Sequence, residues 1–335
     1  MKTKSKVLIL GDGRIARGVF KFLLKNHRIG RVAFYPEDKD VSKYDILIGA
    51  LPGALGENCL KTALKFRKNL IDISDIDPPF YLRYEKAIAK KGILVIPGCG
   101  ISPGLVNAII GRELADNKNI REIEIKAGSL SKSKFCYPFL WCFEDIVLCH
   151  KLSSWQFFKG KKKKCFPFSG YIRESFFGQE AESYYCASGF ENLMDYQGLR
   201  NFSYRVVRPR GFMDFFKYLE SYGFFRLKNL ATSKRILESK KSDNITFAEL
   251  NFSSSVNKVR WLVKSSSSRN EAMNSMQKVT CALPAVVADL LLEGEVNCQG
   301  LLFMEELGKQ EYLFKNILNR LKDYSITIEK KLADA

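Results

Sequence analysis

The stretch that most limits what this chain can fold into is its opening. Residues 5–10, Ser-Lys-Val-Leu-Ile-Leu, read as a short buried strand, and Gly11, Asp12, Gly13, Arg14, Ile15 and Ala16 follow at once. Val19, Phe20, Leu23 and Leu24 then recur at helical spacing. A strand that turns into a helix through Gly-x-Gly-x-x-Ala has one well-understood use. The first glycine allows the tight turn, and the second lets backbone approach a pyrophosphate. The small third residue lets helix pack on strand, so the anion meets N–H groups at the positive end of the helix. Taken alone the match is weak, and the bland reading is a glycine-rich turn with no ligand. Its place after a strand, before a helix and at the head of a series favours the ligand.

The series continues. Strands are expected at residues 31–35, 44–52, 69–74 and 93–97, and helices at 57–67 and 81–90. Gly30 is expected to end the first helix. Alternating short strands and helices mean a parallel sheet built from βαβ units. Only residues 36–43 separate the second strand from the third, too few for a helix and another strand, so one edge strand is expected to be missing. After about Gly111 the pattern changes. Residues 122–130, 245–252 and 259–263 read as strands, with hairpin turns at 157–161 and 240–244 and a polar turn at 265–268. Residues 272–292 read as helix-rich, 312–321 as an amphipathic helix and 325–329 as a last strand. The fold class is therefore α/β: a shortened Rossmann-type parallel sheet and a second, α+β domain of mixed, largely antiparallel sheet. The first domain is expected to span 1–110 and the second 111–335, with part of 270–300 packing back on the first.

Composition excludes several classes. With 335 residues and 46% apolar side chains, a sizeable core is available. The longest apolar candidate, residues 282–292, carries Pro284 and Asp289, so no membrane segment is expected. Nine cysteines without a CxxC pair, and two histidines, offer no tetrahedral metal pattern. An odd thiol count reads as reduced cysteines and a cytosolic setting. The net charge of +18 permits anionic partners. Its densest run, residues 159–164, reads as a solvated hairpin tip. No recognition motif accompanies the charge, so nucleic acid is set aside.

Candidate site residues gather at strand ends. Ala50, Leu51 and Pro52 close the third strand at the edge where such sheets bind ligands, although a plain Pro-Gly turn explains them equally well. Pro97-Gly98-Cys99-Gly100-Ile101-Ser102-Pro103-Gly104-Leu105 closes the fifth. Cys99 reads there first as a packing residue and second as a pocket thiol. Glu37 or Asp38 stands where a ribose hydroxyl would be held. Arg205, Arg208 and Arg210 surround Pro209. Guanidinium forks suit carboxylates, against the even alternative of a solvated basic edge. Tyr137, Trp141 and Trp155 read more readily as core than as pocket.

Together these segments resemble the saccharopine dehydrogenase family, especially its lysine 6-dehydrogenase-like branch. Gly98 to Leu105 with Val106-Asn107 is similar to the family's GCGVAPGLxN, and it joins the glycine loop, Ala50 to Gly53 and Asp72-Ile73-Ser74. Tyr137, Phe139 and Trp141 with Gly160 resemble YKFxWSP…DGK. Ser183 to Tyr185 with Gly189 resemble YxTDGL, and Arg208-Pro209-Arg210-Gly211 resemble RYPGH. Met276-Gln277, Thr280 and Pro284-Ala285 resemble MQxTTGFPA, and the stretch from Gly300 resembles GVLPPE. The departures are Phe212 for the histidine of RYPGH, Ser188 for an acidic residue, Cys142-Phe143 for Ser-Pro and Ala282-Leu283 for Gly-Phe.

The resemblance implies an oxidoreductase that uses NAD or NADP at a carbon–nitrogen bond of an amino acid or amine, commonly as a homodimer. On it the cofactor would meet Gly11, Gly13, Arg14, Ile15, Ala16, Glu37, Ala50, Leu51, Pro52, Ser74 and Cys99. The substrate would meet Gly100, Tyr137, Trp141, Arg205 and Arg208. Asp75 and Tyr137 are the candidates for acid/base work. The alternative is a dinucleotide-binding member that has lost catalysis.

Overall fold

The computed structural model describes residues 4–133, 141–186 and 189–333. The chain runs β1 (Ser5–Leu10), α1 (Arg14–Leu23), β2 (Ile29–Tyr35), β3 (Ile46–Gly49), α2 (Gly53–Phe66), β4 (Asn69–Asp72), α3 (Pro78–Arg83), α4 (Glu85–Lys91), β5 (Leu94–Ile96) and α5 (Leu105–Asp116). Then come β6 (Ile120–Ser131), α6 (Phe143–Cys149), β7 (Ser154–Phe158), β8 (Lys161–Cys165), β9 (Ile172–Phe176), β10 (Gln179–Tyr185), β11 (Asn201–Pro209), α7 (Phe212–Ser221) and α8 (Leu227–Glu238). The chain closes with β12 (Asn244–Ser254), β13 (Lys258–Ser267), α9 (Ser275–Glu293), β14 (Gly300–Leu301), α10 (Met304–Lys309), α11 (Glu311–Lys322) and β15 (Thr327–Ala333).

The chain forms two compact units. The first takes everything through Lys118 and adds Gly189–Leu193 and Gln277–Ile326, so it is larger than the expected 1–110 and is assembled from three stretches. Its sheet has six strands in the order β14-β5-β4-β3-β1-β2, all paired in parallel. Parallel strands are covered on both faces, which is why Val7, Leu8 and Ile9 are all fully buried and read as an unbroken apolar run. β2 is an edge strand, joined to β3 through only a short turn at Val41–Lys43. The missing edge strand is thus borne out. At the far side β14 adds a strand that the sequence reading did not foresee. The helix after β1 ends at Leu23, not at Gly30, which lies inside β2. Asn26 is the reason: its side-chain oxygen accepts the Arg28 N–H at 2.7 Å and turns the chain early.

The second unit takes Asn119 to the stretch before Gly189, then Met194–Met276 and the last strand from Thr327. Among the described residues its sheet has nine strands. β15-β13-β12-β6-β11-β10-β9 form the main path, and the β7–β8 hairpin is attached through β11. Only β6 and β11 pair in parallel; the remaining neighbours are antiparallel. On β13, Val259, Trp261 and Val263 are buried in alternation, as expected. Two turns expected from polar composition are not found as such. Residues 240–244 link helix α8 to β12 and make no hairpin. Ser265 and Ser267 lie within β13, both buried, and the Ser267 hydroxyl donates to Asn244 Oδ1 at 3.1 Å. A hydroxyl that is satisfied inside a sheet leaves no turn signal behind.

α9 is long and apolar enough to cross a membrane, but 72% of that span is buried inside the protein. Leu283, Val286, Val287 and Leu290 have no exposure, and each such side chain contributes about 1.5–3 kcal/mol by leaving water. It is a core helix of the first unit from Gln277 onward. Pro284 is tolerated within it.

Candidate functional site

The carboxyl ends of the parallel strands carry the candidate site. The order β2-β1-β3 means that the chain leaves β1 to one side and returns on the other. A crevice opens at such a reversal. Gly11 sits there with φ +121, and a Cβ on it would lie 2.6 Å from the Ala50 carbonyl oxygen. The backbones that follow β1 and β3 therefore touch at Gly11, and any larger residue would part them. Gly13 differs. It has ordinary backbone angles, and a Cβ placed on it would meet nothing within 4 Å. It is the N-cap of α1, no side chain caps the helix, and no acid stands in its first turn. An uncapped helix start beneath open space suits an anion. Arg14 and Ile15 open the helix, and Ala16 is fully buried, so helix and strand pack closely. Ala50, Leu51 and Pro52 are half-buried beside the loop.

At the end of β2 the acidic pair divides. Asp38 accepts the Tyr44 hydroxyl at 2.7 Å and the Arg31 guanidinium at 2.8 Å, and the Tyr44 contact first of all holds its carboxyl below the usual range. Glu37 is exposed.

A pocket opens across the ends of β4, β5 and β14. Ile76 and Tyr81 line it after β4, Pro97, Pro103 and Asn107 after β5, and Phe303 and Glu305 after β14. Tyr81 turns its hydroxyl inward, donating to the buried Asp72 at 2.9 Å. Burial pushes the Asp72 carboxyl up, and the Ser74 N–H at 2.8 Å opposes that. Glu305 is 4% exposed. Asn107 Nδ2 donates to its Oε2 at 3.4 Å, and Asn192 Nδ2 donates to its Oε1. Burial pushes this carboxyl up too, against both amide contacts. Two glycines deliver it. A Cβ on Gly111 would strike the Glu305 carbonyl oxygen, and one on Gly308 would strike that of Ala108, so α5 and α10 pack backbone to backbone.

The expected site residues fare unequally. Ser74, Cys99 and Gly100 stand in the right segments but are shut in. Cys99 has no exposure and Ser74 has 2%, and burial pushes the Cys99 thiol up, so neither side chain presents a reactive surface. The Gly100 N–H is taken by the Pro103 carbonyl at 3.1 Å. Asp75 is exposed outside the pocket lining. Tyr137 and Ser188 lie outside the described residues. In the second unit, Arg205 donates to the Ser183 hydroxyl at 3.1 Å and to the Gly170 carbonyl, and it covers the Tyr185 ring. Arg208 is 1% exposed, with Trp141 and Phe212 rings at 5.6 and 5.7 Å from its guanidinium. Both arginines are buried on β11, on opposite faces of the sheet, and are held by the carbonyl, hydroxyl and ring contacts just given. Among the described residues, no group of three or more His, Cys, Asp or Glu could hold a metal. Glu305 and Asn192 were missed by sequence reasoning, and Asn107 was read only as part of the segment that continues Gly98 to Leu105. The one signal for Glu305 was the acidic end of the stretch that begins at Gly300.

No protein-family model matches the sequence. The mitochondrial alpha-aminoadipic semialdehyde synthase of Bos taurus is 28% identical over an alignment of 132 residues that covers 31% of this chain and 14% of that protein. The match thus spans about a seventh of the relative's length. The apo saccharopine dehydrogenase (L-Glu forming) of Saccharomyces cerevisiae superposes with a TM-score of 0.79 over 98% of this chain and 100% of that one, at 16% identity. With its parallel sheet, its mixed sheet and that superposition, the chain has the fold of saccharopine dehydrogenase.

Proposed function

We propose that the chain is an oxidoreductase that uses NAD or NADP and acts at a carbon–nitrogen bond of an amino acid or amine. The observation that carries this is the uncapped, open start of α1 at Gly13, set at the strand reversal of a parallel sheet. The residues fit a dinucleotide: the backbone from Gly11 to Ala16 would take the pyrophosphate, with the macrodipole of α1 favouring its charge. Glu37, exposed at the end of β2, would face the ribose of the adenosine half. When bound, the nicotinamide ring supplies hydride exchange with a substrate carbon. The protein's share is orientation, exclusion of water and proton handling. The apolar lining from Ile76, Pro97, Pro103 and Phe303 suits the exclusion of water. The relative's name and the shared fold support amino-acid chemistry over other hydride transfers.

The test is fluorescence titration with NADH and NADPH separately, followed by turnover of saccharopine and L-lysine. Saturable binding of one nucleotide and reduction of its oxidised form by an amine are the expected results. Binding without turnover of either amine would leave a dinucleotide-binding protein. No binding of either nucleotide would defeat the reading.

A further inference from the structure

We propose that Glu305 is the proton acceptor for the substrate's ammonium group, with Asn107 and Asn192 as the residues that position its two carboxylate oxygens. The inference rests on the oxidoreductase reading and names the working group of the same pocket. Of the described side chains that line the pocket, only Tyr81 and Glu305 ionise. Tyr81 is committed to Asp72 and points its hydroxyl into the core. Glu305 remains, in the first turn of α10, at the end of the pocket beyond β14.

The chemistry requires such a group. An amine arrives as an ammonium near neutral pH, and its nitrogen lone pair must be released before a carbon–nitrogen double bond can form. The step assigned to Glu305 is a proton transfer alone. One N–H bond of the ammonium breaks, one O–H bond forms on the carboxylate, and the products are a neutral amine and a carboxylic acid. No electron changes hands in it. Asn107 Nδ2 and Asn192 Nδ2 each donate to a different oxygen, which fixes the carboxyl plane and supports the ionised form. Burial opposes them and favours the neutral acid. Burial is the stronger influence, and a carboxyl raised from its ordinary value takes up a proton more readily than an exposed one, as a proton acceptor must.

The backbone is built to hold it. Gly111 and Gly308 allow α5 and α10 to meet at backbone distance, and that contact carries both Asn107 and Glu305. Asn107 is itself anchored, because its Oδ1 accepts the Gly104 N–H at 2.9 Å.

The experiment uses the full chain and two variants, Glu305→Gln and Glu305→Asp. Nucleotide binding is read by NADH fluorescence, and turnover by saccharopine or L-lysine with the oxidised nucleotide across the pH range. The protonation of Glu305 is read by the infrared carbonyl stretch of a carboxylic acid, as wild type minus Glu305→Gln. The expected result is unchanged NADH binding in Glu305→Gln with kcat lowered about 100-fold or more. The limb of the pH–rate profile that reports a base should vanish in Glu305→Gln and return, weakened, in Glu305→Asp. The infrared difference should show a carboxylic acid that ionises as pH rises. Turnover of Glu305→Gln within about threefold of wild type, with the same pH limb, overturns the proposal, as does an infrared difference with no carboxylic acid at any pH. The two failures separate cleanly. Wild type that binds no nucleotide, or turns over neither amine, removes the oxidoreductase reading and this inference with it. Binding and turnover that survive Glu305→Gln remove this inference alone.

Discussion

The first unit makes its candidate site from backbone, and the second makes its polar interior from side chains. At the carboxyl edge of the parallel sheet, Gly11 touches Ala50 and Gly308 touches Ala108. The mixed-sheet unit instead surrounds His150 with Phe168, Tyr184, Phe212 and Phe216, at ring separations of 5.1–5.8 Å. The two constructions fail differently. A backbone-built region is broken by adding a methyl group, because peptide groups cannot move aside cheaply. A side-chain-built region is broken by adding charge at His150, because burial withholds water there and the Arg208 guanidinium already carries a positive charge nearby.

The sharpest challenge to that contrast is Gly308→Ala. The new Cβ strikes the Ala108 carbonyl oxygen, so we expect a loss of about 3 kcal/mol in chemical denaturation, at the upper end for overpacking. A loss under about 1 kcal/mol would mean that the helices slide apart freely. The glycine loop gives a finer division. Gly11→Ala should destabilise the fold, whereas Gly13→Val should leave Tm within a few degrees and weaken NADH binding at least about tenfold, or ~1.4 kcal/mol. Equal effects of the two on stability and on binding would erase the distinction between a packing glycine and a ligand-facing one.

His150 tests the second unit. Burial first, and the Arg208 charge second, push its pKa down to about 3. The unfolded chain takes up that proton below about pH 6.5, while the native protein stays neutral until about pH 3. Stability is therefore full above the unfolded value and falls as pH falls, by at most ~1.4 kcal/mol per pH unit. The acid slope of the denaturation midpoint should flatten in His150→Gln. An unchanged slope would show that the ring is reached by solvent. The smallest effect is expected at the surface. Lys162 pairs with Asp195 at 2.8 Å on an exposed hairpin, and Lys162→Ala should change stability by less than about 0.5 kcal/mol.

Much of the parallel sheet was legible because its strands are continuous apolar runs punctuated by glycine and proline. The absence of an edge strand could be read from the mere length of the link between β2 and β3. The middle of the second unit was harder. β9, β10 and β11 mix charges with aromatics, and their burial depends on neighbours far along the chain. The candidate site was legible as segments and not as side chains. The stretch around Cys99 does form pocket wall, but Gly98, Pro103 and Asn107 line it while Cys99 faces the core. Which residue of an irregular loop looks outward is set by local turns, here the bridge between Gly100 and Gly104, and no periodicity announces it. Glu305 reaches Asn107 across 198 positions of sequence, a distance over which composition carries no information.

The three-part origin of the first unit has a consequence for synthesis on the ribosome. β1 to α5 leave first, but the helix that fills their core, α9, and the strand that closes their sheet, β14, belong to the stretch Gln277–Ile326. At about 5–20 residues per second, the early part must wait on the order of ten seconds or longer for its complement. During that interval the flank of β5 that β14 will cover stays open, while the second unit is made in between. A nascent chain halted shortly before α9 should therefore be bound by chaperones through its N-terminal third, although every residue of the glycine loop is already in place.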